Sequence, residues 1–120
     1  MQKSPLKTKT YLLAIEIVEL YKYLSQVKYE FVMSKQLLRS GTNPGAMLRE
    51  AQNSESKRDF VHKLKIAQKE LGETQYWLEL LNKTGFLDNT KIKLAESLSN
   101  EIMKMLRSAV MTAKRNLSYE

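Results

Sequence analysis

LLRSGTNPGAMLREAQNSESKRDFVHKLKIAQKELGETQYWLELL, residues 37–81, is the stretch that decides the fold of this 120-residue chain. It holds three of the four glycines, one of the two prolines, the only histidine and the only tryptophan. Apolar residues recur at the three- and four-residue spacing of a helix on both sides of the polar segment NSES. The stretch therefore predicts the two central helices of a small bundle, joined by a short polar turn.

The second of these helices has the clearest periodicity. Its apolar seam alternates spacings of four and three residues, which is typical of shallow helix packing in bundles. The seam comprises Phe60, Leu64, Ala67, Leu71, Thr74, Leu78 and Leu81. Ser56 followed by Asp59 predicts the N-cap of this helix. Gly85 suits a left-handed C-cap, after which Phe86 and Leu87 can fold back on the core.

The first of the two helices contains GTNPG, residues 41–45, which by itself is a turn signal. Helical spacing of apolar and small residues continues across it, so one helix kinked near Pro44 is favoured over a turn. We expect this helix to begin near Tyr29 or Glu30. Its core candidates are Phe31, Leu37, Leu38, Met47, Leu48 and Ala51.

The flanking segments add one helix on each side. A helix from Thr10 carries one apolar stripe of Leu13, Ile17, Leu20 and Leu24, and a second of Tyr11, Ala14, Val18 and Tyr21. A last helix, capped by Asp88 or Thr90, repeats Ile92, Ala95, Leu98, Ile102, Leu106, Ala109 and Ala113. Short connections predict an all-α, antiparallel up-down-up-down four-helix bundle. We expect a single domain over residues 10–117, a flexible basic tail at 1–9 and a frayed C-terminus at 118–120.

Composition narrows the class of protein. Hydrophobic residues make up 42% of the chain, which is enough for a packed core. Cysteine is absent, so disulfides, thiol catalysis and Cys-ligated zinc are excluded. No apolar run approaches the roughly 20 residues of a membrane span, and the polar N-terminus is no signal peptide. We expect a cytoplasmic protein without membrane contact.

The net charge of +7 raises the expectation of an acidic partner. Lys and Arg are concentrated in the first half of the third helix and recur along the fourth. Taken singly, each of them is ordinarily interpreted as part of a solvent-exposed helix face. Together they predict a surface that binds nucleic acid through its phosphates. The candidates are Lys57, Arg58, Lys63, Lys65, Lys69, Lys104, Arg107, Lys114 and Arg115. No motif for sequence-specific readout accompanies them.

Catalytic and metal sites are not predicted. His62 is the only imidazole and has no evident partner. Glu70 and Glu73 share a helix face, but a di-metal bundle needs Glu-x-x-His motifs on two helices. We expect these carboxylates to meet Arg39 and Arg49 across the bundle instead. No cofactor is expected.

Trp77, beside Tyr76, could offer a stacking platform for bases. Its helical spacing favours packing between helices or subunits. We therefore expect Trp77 to have a structural role.

About the central half of this chain resembles the signature of the 23S ribosomal RNA intervening-sequence proteins. The matching pieces are QLLRSGTNPGAMLREAQ, SKRDFVHKLKIAQKELGETQYWLELL and TGFL. The resemblance implies a four-helix bundle that assembles as a homopentamer. A relative, the accessory protein of diversity-generating retroelements, binds nucleic acid and a reverse transcriptase. No catalytic residues carry over. The family's polar pattern matches Arg39, Asn43, Arg49, Glu50, Glu70, Glu73 and Trp77, which implies a structural network between helices or subunits.

We therefore expect a non-enzymatic, oligomeric bundle with a basic surface for DNA or RNA. The alternative is a protein-interaction scaffold or accessory subunit, with a partner such as a reverse transcriptase and no direct role for nucleic acid. A helical-bundle enzyme ranks last.

Overall fold

A computed structural model of the chain describes residues 4–117, and it consists of four helices. They are α1 (Pro5–Gln26), α2 (Met33–Gln52), α3 (Lys57–Lys83) and α4 (Asn89–Leu117). Residues 4–117 contain no strand. The molecule measures 51 × 26 × 21 Å, so it is about twice as long as it is wide. The predicted all-α four-helix bundle is confirmed.

Each helix packs against the next one in the chain, and α4 returns to α1. The diagonal pairs, α1 with α3 and α2 with α4, make no close backbone approach within the described residues. The Thr74 hydroxyl lies 3.1 Å from the Ser40 hydroxyl, and the Lys63 ammonium lies 3.0 Å from the Glu50 carboxylate. Residues later in α2 therefore contact residues earlier in α3, so the order of contacts is reversed between the two helices. The other three interfaces follow the same reversed order.

Helix α1 begins at Pro5, five residues before the predicted start. The Ser4 hydroxyl accepts a hydrogen bond from the backbone N–H of Lys7 at 3.3 Å. Proline suits the first helical position because its missing N–H would have no helical partner there. The prediction of a flexible tail over residues 1–9 is therefore wrong for 5–9. Residues 1–3 and the predicted frayed end at 118–120 lie outside the described residues.

Helix α2 continues through Pro44, so the turn interpretation of residues 41–45 is wrong. Gly41 lies against the side chain of Ile17 on α1, and a Cβ at Gly41 would come within 2.6 Å of the Ile17 Cγ1. The absence of a side chain at this position therefore lets the two helices approach closely. The kink near Pro44 stays a prediction.

The start of α2 is at Met33, later than predicted. Tyr29, in the connection between α1 and α2, adopts a left-handed backbone with φ of 55°. The buried Glu30 carboxylate accepts the backbone N–H groups of Val32, Met33 and Ser34 at 3.1, 3.1 and 2.7 Å. It satisfies the donors of the first turn, which have no partner within the helix. Phe31, a predicted core residue, is 51% exposed.

The hydrophobic core follows the first predicted stripe of α1 and the predicted seam of α3 closely. On α4 the predicted Leu98, Ala109 and Ala113 are only partly buried, and Ser99, Met103 and Val110 are buried instead. Leu13, Ile17, Leu20 and Leu24 of α1 are all buried, whereas Tyr11 of its second stripe is exposed. On α3 every seam residue from Leu64 onward is buried. Phe60 is 38% exposed, and its neighbour Val61 takes the core position instead.

The predicted ends of α3 and α4 are confirmed. The Ser56 hydroxyl accepts the backbone N–H of Asp59 at 3.0 Å at the start of α3. Gly85 has φ of +86°, and Leu87 beyond it is fully buried. Asp88 caps α4, since its carboxylate accepts the backbone N–H of Lys91 at 2.8 Å.

Candidate nucleic-acid interface

The topology collects positive charge at one end of the bundle. The start of α1, the end of α2, the start of α3 and the end of α4 lie together there. We call residues 4–15, 44–69 and 103–117 the basic half, which contains twelve Lys and Arg against three Asp and Glu. Residues 16–43 and 70–102 form the mixed half, with seven against nine. Because the molecule is 51 Å long and the Debye length is about 8 Å in physiological salt, the two ends act as separate electrostatic surfaces.

All nine predicted nucleic-acid-binding residues lie in the basic half. Lys57, Arg58, Lys65, Lys69, Lys104, Arg107, Lys114 and Arg115 are exposed. Lys63 is the exception, because its ammonium pairs with the Glu50 carboxylate at 3.0 Å. The hydrogen bond from this ammonium to Glu50 raises the pKa of Lys63. Its charge is therefore partly engaged within the bundle.

Six of the exposed cations form one outward row on each of two helices. On α3 the row is Arg58, Lys65 and Lys69, at spacings of seven and four residues. On α4 the row is Lys104, Arg107 and Lys114, at spacings of three and seven, so each set shares one helical face. Five of these side chains make no ion pair within residues 4–117. They are Arg58, Lys65, Lys104, Arg107 and Lys114. Their charges are available to an external anion.

Other cations of the basic half hold helices together. Lys9 of α1 pairs with Glu101 of α4 at 2.8 Å. The Arg49 guanidinium lies 5.5 Å from the centre of the Tyr11 ring, a cation–π distance. Arg49 is therefore joined to α1, and the prediction that it meets the carboxylates of α3 is wrong.

Four residues of the predicted polar network do meet, in the mixed half. One guanidinium nitrogen of Arg39 donates to Glu70 at 2.6 Å, and another donates to Glu73. The Trp77 indole N–H donates to the same Glu73 carboxylate at 3.3 Å. The hydrogen bond from Arg39 lowers the pKa of Glu73 despite some opposing burial. The group joins α2 to α3 by a shared, half-exposed ion pair.

The remaining members of that network lie apart from it. Glu50 pairs with Lys63 in the basic half. Asn43 has an enclosed side-chain oxygen without a hydrogen-bond partner among the described residues. The seven residues implied by the resemblance thus divide into separate local contacts within this chain.

Metal and membrane sites find no support in the described part of the chain. Residues 4–117 contain no group of three His, Asp or Glu placed to hold a metal ion. His62 is exposed on the outer face of α3. None of the four described helices is long and apolar enough to span a bilayer.

A groove between α3 and α4 is the feature that the sequence did not predict. It lies in the basic half and has a volume of about 410 Å³. Its lining residues are Lys57, Phe60, Ala109, Thr112, Ala113 and Asn116. The signal for it in the sequence is that Phe60 and Val61 both have helical spacing from Leu64. Either residue could take the core position and leave the other exposed.

The fold and this interface define an all-α four-helix-bundle protein with a single strongly basic end. The chain belongs to the 23S rRNA-intervening sequence protein family, whose family model matches residues 2–108. The family recognised from the central sequence is therefore confirmed.

A solved structure supports the same conclusion. The chain is 48% identical to a protein of unknown function from the S23 ribosomal protein family of Bacteroides thetaiotaomicron. The match covers 88% of this chain and 97% of that one, with a TM-score of 0.85. No curated protein matches this chain.

Proposed function

We propose that this protein is a non-enzymatic, oligomeric bundle that binds nucleic acid non-specifically through its phosphate backbone. The observation that carries the proposal is the excess of twelve cations over three carboxylates in the basic half. Five exposed cations there have no ion-pair partner among the described residues, so phosphates could replace water around them without breaking an existing pair. Release of condensed counterions would then favour binding.

The geometry favours backbone contact over base reading. The row from Arg58 to Lys69 extends along α3 for roughly 17 Å, at about 1.5 Å per residue. Along the axis of a duplex each strand carries one phosphate per about 3.4 Å, so this row can face several of them. Lys and Arg arranged in this way recognise charge and spacing, and they carry no sequence information.

A binding titration at several salt concentrations tests the proposal. Fluorescently labelled duplex and single-stranded oligonucleotides should both bind at low ionic strength. The logarithm of the affinity should fall linearly with the logarithm of the salt concentration, because each phosphate contact releases counterions. Absence of binding to either oligonucleotide at low ionic strength would refute the proposal.

Self-association is part of the proposal. Tyr11, Leu12 and Ile15 of α1 expose apolar side chains next to one another. A second copy could cover this patch, and clustered copies would add their positive fields. A pentamer is the state that the family resemblance implies. Light scattering after gel filtration should give a multiple of 14.0 kDa, and a mass of one chain at micromolar concentration would contradict self-association.

A protein partner is the second candidate, and a different surface favours it. The turn between α1 and α2 exposes Val27, Tyr29, Phe31 and Val32. This apolar tip lies in the mixed half, away from the basic rows. A scaffold or accessory subunit for a polymerase such as a reverse transcriptase would use it. Capture of a defined protein that survives high salt and nuclease, without any binding of nucleic acid by the purified bundle, would favour this candidate.

A further inference from the structure

We infer that the α3–α4 groove of the basic half is a pocket for one unpaired base of single-stranded nucleic acid. The inference rests on the proposed function and deepens it, since it names the strand form that the protein prefers. In this arrangement cations of the basic half hold the phosphates and the groove takes one base of the strand. Duplexes would be held by their phosphates alone.

The apolar lining of the groove suits the face of a base. Phe60 lines it and is 38% exposed, because Val61 occupies the core position beside it. Ala109 and Ala113 line it from α4, and their small side chains leave room for a ring. A volume of about 410 Å³ falls within the roughly 300–1,000 Å³ of small-ligand sites. Stacking on an aromatic side chain is how single-stranded bases are commonly held.

The groove also has polar lining residues in addition to these apolar ones. The Asn116 amide offers both a donor and an acceptor, as the edge of a base does. Thr112 adds a hydroxyl, and Lys57 adds a positive charge at the start of α3. An aromatic ring, an amide and a cation together suit the three parts of a nucleotide, which are the face of the base, its edge and the phosphate.

Charge complementarity decides which partner fits this groove. The groove lies in the basic half, which contains twelve Lys and Arg against three Asp and Glu, and Lys57 is one of its lining residues. A polyanion would therefore be attracted to this end of the bundle. A base paired within a duplex keeps its faces stacked on its neighbours and cannot enter.

The test uses the full chain and a single-stranded oligonucleotide of about 12 nucleotides with one fluorescent 2-aminopurine. An otherwise identical strand with an abasic site and a duplex of the same sequence serve as ligand controls. The variants are Phe60→Ala and Phe60→Leu, the second of which keeps apolar bulk and loses only the aromatic face. Phe31→Ala is the matched control, because Phe31 is also an exposed phenylalanine but lies in the mixed half.

Wild-type protein should quench the probe and bind the intact strand more tightly than the abasic one. Both Phe60 variants should weaken single-strand binding roughly fivefold or more, and Phe60→Ala should remove the preference over the abasic strand. Duplex binding and its salt dependence should stay unchanged. Phe31→Ala should match wild type in every measurement.

Three results would overturn the inference in distinguishable ways. Unchanged single-strand binding by folded Phe60→Ala, with duplex binding intact, refutes the base pocket and leaves backbone binding standing. Loss of binding to an acidic amphipathic peptide in that variant, with no effect on oligonucleotides, assigns the groove to a protein partner. Wild-type protein that binds no nucleic acid refutes the proposed function, and the base pocket with it.

Discussion

The two halves of the bundle share one core but differ on their outer surfaces. Leu64 in the basic half and Leu78 in the mixed half belong to the same seam, and both are almost fully buried. Outside that seam, the basic half exposes unpaired cations, whereas the mixed half pairs Arg39 with two carboxylates. The seam therefore sets the fold along the whole length, and charge distinguishes the two ends.

Because of this difference, substitutions that affect stability and substitutions that affect nucleic-acid binding are expected at different ends of the molecule. Ion pairs that join helices stabilise the molecule and satisfy their own charges, so they have little to offer a ligand. Cations without partners contribute little to stability and can bind an external anion. Substitutions in the mixed half should change the free energy of unfolding and leave nucleic-acid binding alone, and exposed charges of the basic half should do the reverse.

The largest effect on stability is expected where α1 and α2 approach most closely. Gly41→Ala would place a Cβ within 2.6 to 3.0 Å of three atoms of the buried Ile17 side chain. Overpacking of this kind costs roughly 1–3 kcal/mol, and the better helix propensity of alanine offsets at most about 1 kcal/mol of it. Chemical denaturation should show a lower free energy of unfolding.

Gly72→Ala is the matched control for that substitution. Its added Cβ would lie no closer than 4.0 Å to Met103, so only the gain in helix propensity remains. We expect a variant as stable as wild type or more stable by up to about 1 kcal/mol. Equal destabilisation by both substitutions would contradict the close approach at Gly41.

Glu30→Ala should destabilise the mixed half by roughly 2 kcal/mol, since three backbone N–H groups lose a charged acceptor. Burial alone would raise the pKa of Glu30, but hydrogen bonds from Ser34, Met33 and Val32 outweigh it and lower the pKa below its ordinary 4.5. A lowered folded-state pKa means that the stabilisation is complete above about pH 4.5 and is lost as the pH falls through the folded-state value.

Thermal denaturation across the acid range measures this effect. The difference between wild type and Glu30→Ala should be greatest near neutral pH and should shrink in acid. A difference that stays constant from neutral pH to strong acid would show that the carboxylate charge does not stabilise the start of α2.

Ser56→Ala makes the corresponding change in the basic half, with a smaller effect. The Ser56 hydroxyl accepts one backbone N–H, so its loss should cost about 1 kcal/mol. The loss should not vary with acid pH, because serine does not titrate there. Denaturation of this variant beside Glu30→Ala compares a neutral cap with a charged one, and a larger effect of Ser56→Ala would reverse the expected order.

Arg39→Met should have the smallest effect on stability. The Arg39 side chain is half-exposed, and exposed ion pairs contribute about 0–1 kcal/mol. Methionine keeps the apolar part of the side chain and removes the guanidinium. Denaturation should detect a change of less than about 1 kcal/mol, with unchanged affinity for nucleic acid. A larger loss would indicate that the Arg39 pair carries much of the α2–α3 interface.

Most of the fold could be predicted from the sequence because helical seams are local patterns. Ser56, Gly85 and Asp88 gave the helix ends correctly, since caps depend on a few neighbouring residues. Ser4 and Pro5 form the same kind of start signal, and they lie inside the stretch 1–9 that was predicted to be a flexible tail. Phe60 and Val61 both fit the seam, and only the position of α4 decides between them.

The candidate site was less predictable because it depends on contacts between helices. Arg39 and Arg49 are ten residues apart on α2, and they contact different neighbouring helices. The concentration of charge at one end follows from the topology together with the sequence. The groove beside Phe60 requires the actual spacing of α3 and α4, which no local pattern contains.

A matched pair of double variants tests most directly whether nucleic acid binds at the basic half of the bundle. Lys65→Gln with Arg107→Gln removes two exposed cations from the basic half, and Lys35→Gln with Lys93→Gln removes two from the mixed half. Both reduce the net charge of +7 equally. The first should reduce the salt dependence of nucleic-acid binding by about one unit of slope for each cation that contacts a phosphate, and the second should match wild type. Equal loss of nucleic-acid affinity in both double variants would contradict a localised basic interface. The overall net charge would then be the remaining explanation of binding.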